Sequence, residues 1–188
     1  MKETKNNYSL NRQNNTIKLA KMGMLVAISV ILVYLIHFPI FPAMAVLEYD
    51  PADIPIFIGT FAFGPLAGFT LTVVTAVIQG LTVSAAGGWF GIVMHILATG
   101  SFVLVAGLIY RSNKSRKGAM IAMAAGTLTM TGMMAVANII LDPIFYGMPV
   151  KAVYSLLPFI IGFNLIKAGA NSIITFLLYK RISRFLHK

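Results

Sequence analysis

Three polar side chains lie on one face of an apolar segment, GFNLIKAGANS, near the end of the sequence. Asn164, Lys167 and Asn171 are spaced i, i+3 and i+7, so an α-helix places them in one row. An ammonium between two carboxamides offers hydrogen-bond donors and acceptors to a polar ligand. An unpaired ammonium at mid-membrane depth costs about 2.5–3.5 kcal/mol on insertion scales. Lys167 is therefore expected to bind a ligand, pair with a carboxylate or extend to the membrane surface.

The segment VLEYDPADIP, at residues 46–55, holds three of the five acidic residues of the chain. Asp53 is predicted to cap the helix that follows, and Asp50 precedes a proline, which suits a turn. Glu48 has no such structural role. It is expected either to accept hydrogen bonds from a hydroxyl-rich ligand or to pair with Lys167.

Other polar side chains fall at the same end of neighbouring predicted helices: Asn138, Gln79, Trp89 and His95. Any one of them could simply tie two helices together, at about 0.6 kcal/mol. Their clustering beneath the acidic loop predicts a ligand pocket in the outer half of a helical bundle.

The elements that would position these residues are membrane helices. The chain has 188 residues, of which 58% are hydrophobic and 11% charged, and several apolar runs approach the ~20 residues that cross a bilayer. The predicted fold is an all-α integral membrane protein with one membrane domain over 1–188. It has a polar tail at 1–16 and six transmembrane helices, of which the second is short. The predicted spans are about 17–38, 54–63, 66–83, 89–110, 119–141 and 156–182, and the segment between the last two, DPIFYGMPVKAVYS, is predicted to be a loop.

The basic residues account for the net charge of +10 and indicate orientation. All but Lys151 and Lys167 fall into three groups, within residues 2–21, 111–117 and 180–188, and each group flanks an apolar run. This is the positive-inside pattern, so both termini are expected in the cytoplasm and the acidic loop outside. Charges in these places suit anionic lipid and argue against nucleic acid as the partner.

The sequence offers no catalytic machinery. It contains no cysteine, no GxxxxGK[ST] phosphate loop, no nucleophile elbow and no HExxH motif. We therefore expect neither an enzyme nor a metal or cofactor site, but a binding subunit that takes its energy from a partner. Ala20, Gly23 and Ala27 form a small-residue face on the first helix, where a partner helix could dock or the bundle itself could pack.

The stretches LEYDPADIP and FNLIKAGANS, together with six spans and a short second helix, resemble the riboflavin-specific substrate-binding (S) subunits of energy-coupling factor (ECF) transporters of Gram-positive bacteria. The resemblance covers nearly the whole chain. It implies riboflavin as the transported ligand, with a transmembrane coupling subunit and two cytoplasmic ATPases as partners. The AxxxA docking motif of the family is only partly present: Met24 stands four residues after Ala20, and Gly23 with Ala27 gives GxxxA instead.

By analogy with the family, Asn164 and Lys167 would bind polar atoms of the flavin ring and its side chain. Glu48 and the backbone around Ala45 and Leu47 would hold the ligand under the loop, and Asn138, Gln79 and Asn171 are further candidates. Pocket polarity leaves two alternatives open: an S subunit for another small vitamin, such as thiamine or biotin, or a structural membrane protein without a ligand.

Overall fold

The computed structural model describes residues 2–44 and 46–186, with side-chain surroundings for residues 13, 15–42, 44, 46–85 and 87–179. This part of the chain folds into six α-helices and one short antiparallel strand pair, in which Phe38 faces Tyr49. The helices are α1 Lys2–Leu35, α2 Asp53–Phe63, α3 Pro65–Leu81, α4 Gly88–Ser112, α5 Arg116–Tyr146 and α6 Val150–Leu186; the strands are β1 Phe38–Pro39 and β2 Glu48–Tyr49.

Four of these helices contain segments long and apolar enough to cross a membrane: Asn15–Leu35, Gly88–Ser112, Arg116–Tyr146 and Val150–Tyr179. The other two, α2 and α3, are apolar but shorter, with 11 and 17 residues. The all-helical fold class predicted from the sequence is therefore confirmed.

The short helix α2 lies at the centre of the bundle. It contacts α1, α3, α4 and α6, and it is buried from Asp53 through Phe61. The ring of Phe57 stacks on that of Phe102 with centroids 3.8 Å apart. Because its neighbours cover it, α2 needs no lipid-facing surface. Its first residue, Asp53, therefore lies in the interior of the bundle.

A single residue joins α2 to α3. Gly64 has φ = +96°, a conformation that residues with a Cβ rarely adopt, and Pro65 then begins α3 with the fixed φ that suits a first helical position. This turn lies at the opposite end of α2 from Asp53.

Three helix ends differ from the sequence prediction. α1 begins at Lys2, so the predicted polar tail is helical, and the loop predicted over residues 142–155 is confined to residues 147–149. α5 continues through Pro143 to Tyr146, because the ring of Phe145 packs against Trp89 and Phe90 at centroid distances of 4.2 and 4.4 Å. α6 starts early, at Val150, where its first turn buries Val153.

Candidate functional site

The centre of the candidate site is an ion pair between the last helix and the first loop. The Nζ atom of Lys167 donates to Oδ2 of Asp50 at 2.6 Å, and both side chains are largely buried. The other carboxylate oxygen of Asp50 accepts the backbone N–H of Ala52 at 3.0 Å. Lys167 thus takes the carboxylate-pairing alternative, and its partner is Asp50 rather than Glu48.

Asn171, one helical turn further along α6, connects three groups and is fully buried. Its amide nitrogen donates to the backbone oxygen of Asp50 at 3.1 Å and to Oδ2 of Asp53 at 3.4 Å. Its amide oxygen accepts the hydroxyl of Tyr49 at 2.9 Å. Burial raises the pKa of the Tyr49 phenol, so the hydroxyl stays protonated at neutral pH and remains a donor.

Asp53 extends this network to α4. Its Oδ1 atom accepts the hydroxyl of Thr99 at 2.8 Å and lies 3.5 Å from Nε2 of His95. The prediction that Asp53 caps α2 is wrong: the cap position is Ala52, without a side-chain hydrogen bond, and Asp53 is the first helical residue. Its carboxylate turns inward because α4 and α6 supply donors there. We call the set Tyr49, Asp50, Asp53, Thr99, Lys167 and Asn171 the polar network.

Two predicted site residues, Asn164 and Asn138, bond to their own helices. The amide nitrogen of Asn164 donates to the oxygen of Ile160 at 2.8 Å, and that of Asn138 to the oxygen of Met134 at 2.7 Å. Both side chains are buried. These bonds fix the side chains and leave the carboxamide oxygens to act as acceptors for another molecule.

The remaining predicted residues lie outside the polar network. Gln79 is buried, with its Nε2 atom 3.5 Å from Oγ of Ser84 and its Oε1 atom without a hydrogen-bond partner among the described residues. Glu48 is exposed on β2. The backbone N–H and C=O of Leu47 bond within the loop, to Met44 and Ile40. Ala45 lies outside the described residues.

Aromatic side chains lie beside the network. Phe41 of the loop meets Phe159 of α6 edge-on at 5.6 Å, and the ammonium of Lys167 lies 5.9 Å from the centre of the Phe163 ring. Polar groups and flat apolar surfaces therefore occur together where the loop meets α6, as in sites for small ring-containing molecules. In the described residues, no three His, Cys, Asp or Glu side chains are grouped as metal ligands.

Sequence reasoning missed the roles of Tyr49, Asp50 and Thr99. The row on α6 was correctly predicted to share one helix, and the cost of a buried ammonium made a carboxylate partner one of three alternatives for Lys167. Asp50 could have been favoured over Glu48 on one ground: it lies closer in sequence to the start of buried α2. Thr99 carried no comparable signal, because threonine is common in membrane helices.

Comparisons with known proteins place this chain in a family. The sequence profile of the family described as "ECF transporter, substrate-specific component" matches residues 17–179. The riboflavin transporter RibU of Staphylococcus aureus (strain TCH60) is 32% identical over 188 residues, covering 95% of this chain and 96% of that protein. The riboflavin transporter FmnP of Bacillus subtilis (strain 168) is 32% identical over 126 residues, covering 66% of this chain and 65% of the relative.

The fold agrees with these matches. A solved S component of a bacterial ECF transporter superposes with a TM-score of 0.78 and 33% identity, covering 94% of this chain and 99% of the other. Fold and matches define a multi-pass membrane protein of the bacterial plasma membrane, of the transporter class. The chain belongs to the family of substrate-specific components of ECF transporters.

Proposed function

We propose that this chain is the riboflavin-binding subunit of an ATP-driven ECF uptake transporter. The observation that carries the proposal is the 32% identity, over 188 residues, to a riboflavin transporter. The polar network supports it, because a flavin combines a flat apolar ring with a polar edge and a chain of hydroxyl groups, and such ligands need both kinds of surface.

In this proposal Asn164 and Lys167 bind polar atoms of the flavin. An ammonium has three N–H donors, and Lys167 uses one of them on Asp50, which leaves two for a ligand. The amide oxygen of Asn164 is available as an acceptor, since the amide nitrogen is engaged with Ile160. We assign the loop residues Ala45, Leu47 and Glu48 to the cover of the ligand. Asn138 and Gln79 would lie around the ligand, and Asn171 holds the loop in place.

A titration tests this function. We expect purified protein, freed of bound ligand, to quench riboflavin fluorescence saturably, with a Kd of about 1 μM or lower, equivalent to about −8 kcal/mol. Thiamine and biotin, added in excess, should leave the quenching unchanged. Protein that fails to quench riboflavin, or that releases it to thiamine or biotin, would contradict the assignment.

We further propose that the single domain 1–188 crosses the membrane six times, with both termini in the cytoplasm. At 1.5 Å per residue, α2 rises only about 16 Å. Its burial among α1, α3, α4 and α6 makes this sufficient, because no backbone of α2 has to face lipid. The basic residues at the start of α1 and the end of α4 would then lie on one side, as the positive-inside rule requires.

A separate coupling subunit with two ATPases would drive transport. The small-residue face of α1 supports docking rather than packing inside the bundle: Ala20, Gly23 and Ala27 are all exposed, and no atom lies within 4 Å of a Cβ built on Gly23. The bundle is contacted by a different face of α1, which buries Leu25 and Val33. Small residues on a free helix face allow another helix to approach closely within the bilayer.

Gly23→Trp is expected to abolish co-purification of the coupling subunit and its ATPases while riboflavin binding stays unchanged, because the indole blocks close helix approach. The matched control is Ile28→Trp, at an exposed position on another side of the same helix. Pull-down of the co-expressed complex measures the effect. Equal recovery of the complex with both variants would remove this face from the docking site.

A further inference from the structure

A cavity opens at the end of the bundle that lies away from the polar network. It measures about 420 Å³ and lies between the middle of α1, the α2–α3 turn and the end of α4. Among the residues whose side chains are described, its lining contains three basic side chains, Lys18, Arg111 and Lys114, and no acidic one. We call it the basic pocket.

The charges of the basic pocket are not neutralised within the described part of the chain. The acidic side chains with close basic neighbours in these residues lie at the far end of α2: Lys167 pairs with Asp50, and Nε2 of His95 lies 3.5 Å from Oδ1 of Asp53. Lys18 instead lies over the ring of Phe63, with 5.9 Å between the ammonium and the ring centre. Three unit charges around one cavity create a strong positive potential that favours an anion.

The start of α3 adds to this potential. Pro65 is its first residue, and no side chain caps its first turn. Both Gly64 and Pro65 line the pocket, so the positive end of the helix dipole faces the same space as the three cations. The helix end strengthens a site that the basic side chains and the cavity already define.

The depth of the basic pocket indicates which anion it meets. Lys18 stands near the start of the apolar span Asn15–Leu35, and Arg111 near the end of the span Gly88–Ser112. Leu66, on the pocket wall, is 78% exposed. Cations at the ends of membrane spans lie at the level of the lipid headgroups, and basic pockets between membrane helices suit anionic headgroups. We propose that the basic pocket binds the phosphate of an anionic phospholipid.

Native mass spectrometry of the full-length protein in mixed micelles tests the proposal. It compares the retention of phosphatidylglycerol with that of phosphatidylcholine. We expect phosphatidylglycerol to be retained, and retention to fall at least about tenfold when Lys18, Arg111 and Lys114 are all replaced by glutamine, since each cation near the surface contributes to binding. The matched control removes as many charges outside the pocket: Arg116→Gln, Lys117→Gln and Lys151→Gln. It should retain the lipid, and both variants should still bind riboflavin, which separates this test from that of the proposed function.

Three results would overturn the proposal. Equal retention in the pocket variant and the control would show that diffuse charge, and not the basic pocket, holds the lipid. Displacement of phosphatidylglycerol by inorganic phosphate at comparable concentration would show a site for a free anion instead of a lipid. Retention of phosphatidylcholine as strong as that of phosphatidylglycerol would likewise contradict an anionic headgroup.

Discussion

Lys167→Met is expected to lower the free energy of unfolding by about 3–5 kcal/mol and to weaken riboflavin binding at least about tenfold. The substitution keeps the apolar bulk of the side chain but leaves the Asp50 carboxylate buried without its cation. It also removes the donors that we assign to the flavin. Thermal unfolding and fluorescence quenching measure the two effects on the same preparation.

The double variant Asp50→Asn with Lys167→Met separates stability from binding. Removing both charges should restore most of the lost stability, because no buried charge remains unpaired. Binding should stay weak, since Lys167 contacts the ligand in our proposal. If the double variant recovers full affinity, Lys167 acts only through Asp50. Lys151→Met, at an exposed lysine of the same helix, is the control and should change neither quantity.

Asn171→Leu is expected to lower the free energy of unfolding by about 3 kcal/mol or more, because each buried group left without a hydrogen bond costs about 1–3 kcal/mol. The groups affected are the Tyr49 hydroxyl, the Asp50 carbonyl and the Asp53 carboxylate. Unfolding in detergent micelles, followed by circular dichroism, measures the loss.

Asn138→Leu is the matched control for Asn171→Leu. Asn138 is also a buried asparagine in a long helix, but its amide nitrogen donates to the carbonyl of Met134 in its own helix. We expect its replacement to cost about 1 kcal/mol or less. Equal losses at the two positions would show that burial of an amide, and not its links to the loop and α2, determines the stability of this end of the bundle.

The helices were predictable because apolar runs of membrane length leave few alternatives for the backbone. One error lay beside a proline. α5 was predicted to end at about residue 141, before Pro143, yet one missing hydrogen bond near a helix end is offset when the next turn packs its aromatic side chains, as Phe145 does against Trp89. Such packing depends on a neighbouring helix and cannot be predicted from the local sequence.

The candidate site was predictable where periodicity applies. Asn164, Lys167 and Asn171 were correctly placed on one helix, since helical spacing determines which residues share a face. The partner of Lys167 could not be predicted, because the path of the loop over α6 decides whether Asp50 or Glu48 reaches the ammonium. A short strand pair and the turn at Asp50 bring the aspartate inward and leave Glu48 on the surface.

The ion pair between the first loop and the last helix has a consequence for biosynthesis. A ribosome delivers Asp50 to the membrane well before Lys167, so a nascent chain lacks the cation that pairs with this buried carboxylate until the final helix inserts. Closure of the first loop onto the bundle must therefore wait for the last segment to be translated, and intermediates that stop short of it would be natural substrates for membrane quality-control proteases.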